Sequence, residues 1–340
     1  MPDGQTALLA LTIFVALGFD FTNGFHDTAN AVATSITTRA LGPRVAVLLS
    51  ALLNFAGAVV AIELLHTKVA NTIGGLVAPP GGPALGMIIA ALVGAIAWNL
   101  ITWRAGIPSS SSHALIGGLI GMGLVAYGTS AVKWSQVGPV VIALVTSPVA
   151  GLVLAYLFML VVLNVFRRTR PSTANRRFRT LQILSGSFVS FSHGANDAQK
   201  TMGVMTLALV STHHLTVGPG GFPFPPLWVV TLAALAIGLG TYAGGWRIIR
   251  TLGSRVIRLD PVDGFVAQTM AAVVIQAATQ VALPVSTTHV VSGAVMGAGA
   301  TRRFGAVRWG VARNILATWM VTIPAAALLA AGCAAIVSVL

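Results

Sequence analysis

Charged residues are scarce in this chain. Only 8% of its 340 residues are Asp, Glu, Lys or Arg, against about 25% in a typical soluble domain. So little charge excludes an ordinary globular enzyme, a disordered chain and a repeat solenoid. The apolar runs are continuous rather than alternating, which disfavours a transmembrane β-barrel. Because helical runs of about 20 apolar residues cross a bilayer, the 56% of hydrophobic residues predicts an all-α integral membrane protein.

Acidic residues and cysteine are rarer still. The chain has seven acidic and 20 basic residues, which gives a net charge of +13. The basic residues lie in short clusters between apolar runs, as the positive-inside bias of membrane proteins produces, so we expect no nucleic-acid partner. A single cysteine, Cys333, excludes an intrachain disulfide. The predicted surroundings are the lipid bilayer of the cell (inner, cytoplasmic) membrane, crossed several times.

A strongly basic stretch divides the chain nearly in half. It predicts a first membrane repeat over residues 1–166, a basic cytoplasmic linker over 167–180 and a second membrane repeat over 181–340. The halves also share a motif, since residues 21–27 (FTNGFHD) align with residues 191–197 (FSHGAND) at an offset of 170, that is 197 − 27.

A second pair of motifs follows in the same order. Residues 108–113 (PSSSSH) align with residues 284–289 (PVSTTH) at an offset of 176, that is 284 − 108. Paired landmarks at similar offsets indicate an internal duplication. Gly117 and Gly121 match Gly293 and Gly297 at the same offset. Both pairs have the small-xxx-small spacing of closely packed membrane helices.

The charges indicate that the duplication is inverted. Arg104 follows the third segment of the first half, whereas Arg247 and Arg250 follow the second segment of the second half. About five membrane segments in each half reproduce this pattern with both termini outside. Inverted repeats with broken or re-entrant helices at the site are typical of secondary transporters. Segments 107–127 and 284–300 either span the membrane or re-enter it.

Three of the seven acids, Asp20, Asp27 and Asp197, fall inside apolar segments. A carboxylate in a bilayer is expensive and is by default a functional candidate. Gly24 and Gly194 precede two of these acids, and because glycine permits unusual backbone conformations, we predict helix breaks there. An unwound turn offers oxygen ligands that suit a hard cation such as sodium, or a proton relay. The predicted coupling-ion residues are Asp27, Asp197, Asn30, Asn23 and Asn196, with Asp27 and Asp197 as the sodium ligands if the ion is sodium.

Both runs that begin with proline continue with hydroxyl residues. Proline favours the first turn of a helix, where free N–H groups and the helix dipole attract anions. Two such openings from repeats of opposite orientation predict one oxyanion site. Its predicted residues are Ser109, Ser110, Ser111, Ser112, Ser286, Thr287, Thr288, Asn23 and Asn196. The predicted accessory residues are His26, His113, His193, His289, Lys200 and Asp20.

The rival class is an intramembrane metalloenzyme. It would need clustered histidines and acids such as H-E-x-x-H, and the sequence has no such run. A serine-hydrolase elbow, G-x-S-x-G, is also missing. We therefore expect a protein that is not an enzyme and that uses no cofactor apart from a coupling ion, sodium or a proton.

The motifs resemble those of a known family. Residues 23–31 (NGFHDTANA) and 194–200 (GANDAQK) resemble the paired motifs of the inorganic phosphate transporter (PiT) family, and residues 284–289 resemble its second conserved element. The resemblance covers both halves. It implies an inverted repeat of membrane helices, with phosphate uptake coupled to a cation gradient. It also implies that Asp27 and Asp197 are the essential acids and that the hydroxyl runs line the anion site.

Two departures from the family pattern are bacterial in type. Asn54 stands where animal members carry Glu, and Phe25-His26 stands where they carry Ala-Asn. In bacterial members coupling is often to protons, and the anion can travel as a neutral metal–phosphate complex. We predict a symporter for inorganic phosphate, with a homodimer as a further expectation. A sulfate permease of the same fold and a channel are the alternatives. Carboxylates near the anion favour phosphate, which keeps a proton at neutral pH, over sulfate.

Overall fold

The protein is an assembly of α-helices. A computed structural model describes residues 4–79, 81–218, 221–257, 259–302 and 304–339, and no β-strand occurs within these ranges. The helices of the first half are α1 (Gly4–Thr37), α2 (Pro43–Glu63), α3 (Val69–Gly74), α4 (Leu85–Ala105), α5 (Ser111–Tyr127) and α6 (Trp134–Val165). Those of the second half are α7 (Pro171–Ser211), α8 (Leu227–Ala243), α9 (Trp246–Arg250), α10 (Pro261–Gln280), α11 (Thr287–Ala300) and α12 (Trp309–Val337).

Among the described residues, six helices are long and apolar enough to cross a membrane. They are α1, α2, α4, α6, α10 and α12. Helix α8 and the following helical stretch, Trp246–Ser254, meet at an angle of 58° and make a seventh span if they are taken together. The predicted all-α membrane fold with bent helices is confirmed.

Helix α7 begins earlier than the predicted linker allows. Pro171 occupies its first turn, where the missing N–H of proline is not needed, and the helix continues for 41 residues. Residues 171–180 of the predicted linker 167–180 are therefore helical. The limits of the two repeats, 1–166 and 181–340, stay a prediction.

The predicted helix breaks at Gly24 and Gly194 are wrong. Helices α1 and α7 run through both positions without interruption. The glycines instead allow another backbone to come close. A Cβ atom on Gly24 would lie 2.4 Å from the carbonyl oxygen of Ile237, and one on Gly194 would lie 2.0 Å from that of Asn54. The missing side chain thus serves packing between helices rather than a kink within one.

The breaks lie instead at the starts of α5 and α11. Each helix follows an extended stretch, residues 107–110 or 283–286, and each is capped by a serine, Ser110 or Ser286. With 17 and 14 residues, the helices are about 26 and 21 Å long at 1.5 Å per residue. Both are shorter than the hydrocarbon core of about 30 Å. The residues at their N-termini are buried.

Helix packing repeats between the halves with the partners exchanged. Helix α5 packs against α12 as α11 packs against α6, and α2 packs against α7 as α8 packs against α1. A Cβ atom on Gly121 would lie 2.2 Å from the Ala327 carbonyl oxygen of α12, and one on Gly297 would lie 2.0 Å from the Leu152 carbonyl oxygen of α6. The close helix packing predicted from the glycine spacing is observed in both halves.

The two motif helices, α1 and α7, are antiparallel. Thr38 near the end of α1 donates a hydrogen bond of 2.7 Å to Gln182 near the start of α7. Further along, Asp27 of α1 faces His193 of α7, with 4.0 Å between Oδ2 and Nε2. Residue numbers thus fall on α1 while they rise on α7. Because these helices are mates in the duplication, their opposite directions agree with an inverted repeat.

Candidate functional site

The acids of the two repeats meet at one threonine. Thr287 at the start of α11 has its hydroxyl oxygen 3.4 Å from Asp27 Oδ2 and 3.2 Å from Asp197 Oδ2. Thr288 donates to Asp27 Oδ1 at 3.2 Å. All four side chains are buried. The structure thus brings the paired acids and one predicted hydroxyl run into a single site.

His193 lies between the two carboxylates. Its Nε2 is 3.3 Å from Asp197 Oδ2 and 4.0 Å from Asp27 Oδ2, while its Nδ1 is 2.6 Å from Asn54 Oδ1. Asp27, His193 and Asp197 each offer one ligand atom, and these three atoms lie within 4.8 Å of one another. This group can hold a cation or exchange a proton. His193 was predicted only as an accessory residue, although its i, i+4 spacing from Asp197 places both side chains on one face of α7.

The ammonium group of Lys200 makes three hydrogen bonds within the same site. Its Nζ donates to Asp197 Oδ1 at 2.5 Å, to Ser112 Oγ at 2.6 Å and to the Val285 carbonyl oxygen at 3.0 Å. These three acceptors match the three donors of an ammonium group. Lys200 therefore places a buried positive charge between an acid of α7 and the hydroxyl run of α5.

The four serines before and at the start of α5 have different partners. Ser109 Oγ lies 2.8 Å from Thr102 Oγ1, and Ser110 accepts from the His113 amide at 3.1 Å. Ser112 accepts from Lys200 and donates to the Val285 carbonyl at 3.0 Å. The Ser111 hydroxyl is buried and, within the described ranges, makes no hydrogen bond. Ser286 caps α11 as Ser110 caps α5, accepting from the His289 amide at 3.2 Å.

His26 links Asp27 to the first hydroxyl run. Its Nδ1 lies 2.7 Å from Asp27 Oδ1, and its Nε2 lies 3.2 Å from Thr102 Oγ1 and 3.3 Å from Ser109 Oγ. A chain of hydrogen bonds thus connects an acid of α1 with the stretch that opens α5. Thr102 was missed from the sequence because nothing local distinguishes it from other threonines in an apolar helix.

The other two predicted histidines hold the helix starts together. The rings of His113 and His289 have centroids 4.4 Å apart, and His289 stacks on Trp319 at 3.8 Å. Both histidines border a largely apolar, open groove of about 510 Å³ lined by residues of α5, α6, α11 and α12. The starts of α5 and α11 consequently lie next to each other.

The three predicted asparagines separate into different environments. Asn30 donates to Thr288 Oγ1 at 2.9 Å and so faces the hydroxyls of α11. Asn196 donates to Thr279 Oγ1 at 2.9 Å and accepts from the Val285 amide at 3.4 Å, which fixes the extended stretch before α11. Asn23 is buried and, like Asp20, has no hydrogen bond to the described residues.

Two halves related by exchanged packing, with ionisable groups and interrupted helices buried between them, define a multi-pass membrane transporter. A family model described as the phosphate transporter family matches residues 23–330. The chain belongs to this family, and the resemblance to the PiT motifs is confirmed.

Individual relatives agree with this membership. Two proteins, each named a probable low-affinity inorganic phosphate transporter, are similar along nearly their whole length. The one from Rhizobium meliloti is 48% identical over 326 residues, which are 96% of this chain and 95% of that protein. The one from Bacillus subtilis is 44% identical over 329 residues, 95% of this chain and 96% of that protein. These names, like the family's, describe transporters and not enzymes.

A solved structure is also similar. It is described as the sodium-dependent phosphate transporter and superimposes with a TM-score of 0.87 at 26% identity. The match covers 98% of this chain and 100% of that chain. The likeness therefore extends over both halves of the fold.

Proposed function

We propose that this protein is a secondary active transporter that imports inorganic phosphate across the cytoplasmic membrane in symport with a cation. One observation carries the proposal. In a single buried site, Lys200 joins Ser112 at the opening of α5 to Asp197, and Thr287 at the opening of α11 joins Asp197 to Asp27. Membership of the phosphate transporter family and the names of the relatives support phosphate as the substrate.

Phosphate would be held by the two helix openings. The N-termini of α5 and α11 present backbone N–H groups and the positive ends of their dipoles. The hydroxyl of Ser111, which has no hydrogen-bond partner among the described residues, adds a donor, and Lys200 adds a positive charge. Inside a low-dielectric protein such donors bind an oxyanion more strongly than they do in water. Bonds from Ser112 and Lys200 to neighbouring groups keep these donors in position before phosphate arrives.

The coupling cation would be held by Asp27 and Asp197, with His193 between them. Two carboxylates beside an incoming anion repel it. The ammonium of Lys200 balances one of them, and His193 balances the other only when it is protonated. A cation between the acids removes the remaining repulsion, so that phosphate and cation bind best together. This dependence of one ligand on the other is the basis of symport. Movement of the repeats against each other then exposes the shared site to each side in turn.

The same acids favour phosphate over sulfate. Phosphate at neutral pH keeps a proton that it can donate to a carboxylate, whereas sulfate has none. The carboxylates of Asp27 and Asp197 lie within 3.4 Å of the Thr287 hydroxyl at the start of α11. An anion bound at this helix start therefore lies next to two carboxylates that can accept its proton. A sulfate permease with the same fold is the alternative, and direct competition between the anions distinguishes the two.

The test is uptake of radiolabelled phosphate into proteoliposomes. Sodium and proton gradients are imposed separately, with and without excess sulfate, and liposomes without protein give the background. Uptake that is driven by one gradient and is indifferent to sulfate supports the proposal. Transport of sulfate without phosphate would overturn the substrate while leaving the fold intact. Phosphate flux that no gradient accelerates would instead indicate a channel.

A further inference from the structure

Asp20 is a buried acid that lies outside the phosphate site. Among the described residues, neither oxygen of its carboxylate has a hydrogen-bond partner, and the same is true of the Asn23 amide and the Thr201 hydroxyl. Asn23 of α1 and Thr201 of α7 are the polar neighbours of Asp20. Buried polar groups are nearly always hydrogen-bonded, so these three neighbouring side chains have the donors and acceptors to bond one another once the Asp20 carboxyl group gains a proton.

The position of this cluster follows from the helix geometry. Asp20, Asn23 and Asp27 are spaced i, i+3 and i+7 and therefore share one face of α1. Seven residues correspond to about 10 Å along a helix. On the antiparallel helix α7, Thr201 lies one turn beyond Asp197. The cluster of Asp20, Asn23 and Thr201 thus lies on the same α1–α7 interface as Asp27 and Asp197, but closer to the N-terminus of α1.

His193, the basic group that acts on Asp20, lies between Asp27 and Asp197 and is shared with these two acids. The ionisable groups that act on it are Asp197 and His193 of α7, and the nearby ammonium of Lys200 is bonded to Asp197. Helices α2, α4 and α8 also pack against α1, and they carry titratable residues only near their ends, namely Arg44, Glu63, Arg104 and Tyr242. An ionised carboxylate without a counter-charge is costly inside a bilayer.

We propose that Asp20 is a proton-binding site of the transport cycle, with Asn23 and Thr201 as the hydrogen-bond partners of the protonated carboxyl group. This inference rests on the proposed phosphate transport. A proton passes from water to one carboxylate oxygen and forms a neutral acid. Its O–H donates to the oxygen of Asn23 or Thr201, and the proton returns to water when the site opens to the other side. The neutral form tolerates the closed, water-free state, and the ionised form favours an open one.

The donor set suits a proton better than a metal ion. The three side chains supply four oxygen atoms, whereas hard cations such as calcium and magnesium take about six or more. A protonated carboxyl group needs only one acceptor and one donor, and the Asn23 amide and the Thr201 hydroxyl provide both.

The experiment compares the wild-type protein with Asp20→Asn in proteoliposomes. Phosphate accumulation is driven by an inward proton gradient, phosphate exchange is measured without any gradient, and a trapped dye reports internal pH. We expect Asp20→Asn to lose roughly tenfold or more of the gradient-driven accumulation, within the usual range of coupling factors. Exchange should continue, and phosphate entry should no longer acidify the interior. Thr12→Val, a change at a buried threonine of the same helix, should behave like the wild type.

Further outcomes decide the inference. Wild-type accumulation by Asp20→Asn, or loss of its exchange together with accumulation, would overturn the assignment. So would a sodium gradient that drives the wild type and requires Asp20. If Asp20→Asn does not fold, Asp20→Glu and Thr201→Val provide the test, because each should shift the pH dependence of accumulation, and unshifted profiles count against the proposal. If the wild type moves no phosphate, the proposed function has failed. If it moves phosphate without regard to the proton gradient, only this inference has failed.

Discussion

Lys200 donates a hydrogen bond to Ser112 across 2.6 Å, and this contact joins the middle of α7 to the first turn of α5. The residues are 88 positions apart and belong to different repeats. Through its second bond, to Asp197, the same ammonium group couples the proposed anion site to the proposed cation site. The charge of one lysine therefore acts on both ligands.

Replacing Lys200 with Gln should weaken phosphate binding. The change removes a positive charge and leaves Asp197 without its ion-pair partner. A hydrogen bond to a charged group contributes about 1.5–3 kcal/mol, which corresponds to a loss of affinity of roughly 10- to 100-fold. The KM for phosphate uptake in proteoliposomes measures the effect. Lys133→Gln, at an exposed lysine before α6, is the control, and equal KM values for the two variants would contradict the prediction.

Asp27→Asn and Asp197→Asn should each abolish gradient-driven uptake while the protein stays folded. Asn keeps the size of the side chain and removes the negative charge that the coupling cation needs. Uptake is measured in proteoliposomes, and a single symmetric peak in size-exclusion chromatography shows that each variant is folded. Normal uptake by both variants would show that transport does not need these two carboxylates.

Thr287→Val should raise the KM for phosphate by about tenfold, while Thr287→Ser should stay near the wild type. Valine retains the branched shape and loses the hydroxyl that contacts Asp27 and Asp197. A hydrogen bond to a charged group contributes about 1.5–3 kcal/mol, which corresponds to roughly tenfold or more in affinity. Thr206→Val, at a buried threonine of α7 outside the site, is the matched control. A KM for Thr287→Val equal to that of the control would contradict the role of this hydroxyl.

Gly194→Ala should destabilise the protein. The added Cβ atom would lie 2.0 Å from the backbone oxygen of Asn54, so α2 and α7 must move apart. Overpacking of this kind costs about 1–3 kcal/mol. Thermal unfolding of purified protein in detergent reports the change. Gly18→Ala, on α1 with nothing within 4 Å of the added atom, should leave the melting temperature unchanged or raise it.

The class of the protein, and which residues the structure brings together in the candidate site, could largely be predicted from its sequence. A carboxylate in an apolar run stands out because so few charges exist, and the duplication identified Asp27 and Asp197 as a pair. The serine and threonine runs after Pro108 and Pro284 were recognisable because proline and hydroxyl residues mark a helix start. In the structure these local signals coincide with the starts of α5 and α11.

The remaining features depend on contacts between distant helices. Gly24 and Gly194 were expected to break helices, yet they are used for close packing against α8 and α2, which no local pattern reports. The position of His193 between the acids required the antiparallel pairing of α1 and α7. The bond from Lys200 to Ser112 likewise requires the two repeats to be placed together.

The location of Lys200 in one repeat alone has a consequence for the direction of transport. At the offset of 170 its mate is Asn30, that is 200 − 170, and Asn30 carries no charge. In a transporter with inverted repeats, the outward-open and inward-open forms arise by exchanging the conformations of the two halves. Identical halves would give these forms equal energies and the protein no preferred side. A single ammonium group ends that equality, so we expect the half that carries the lysine to bias the resting orientation of the proposed transporter.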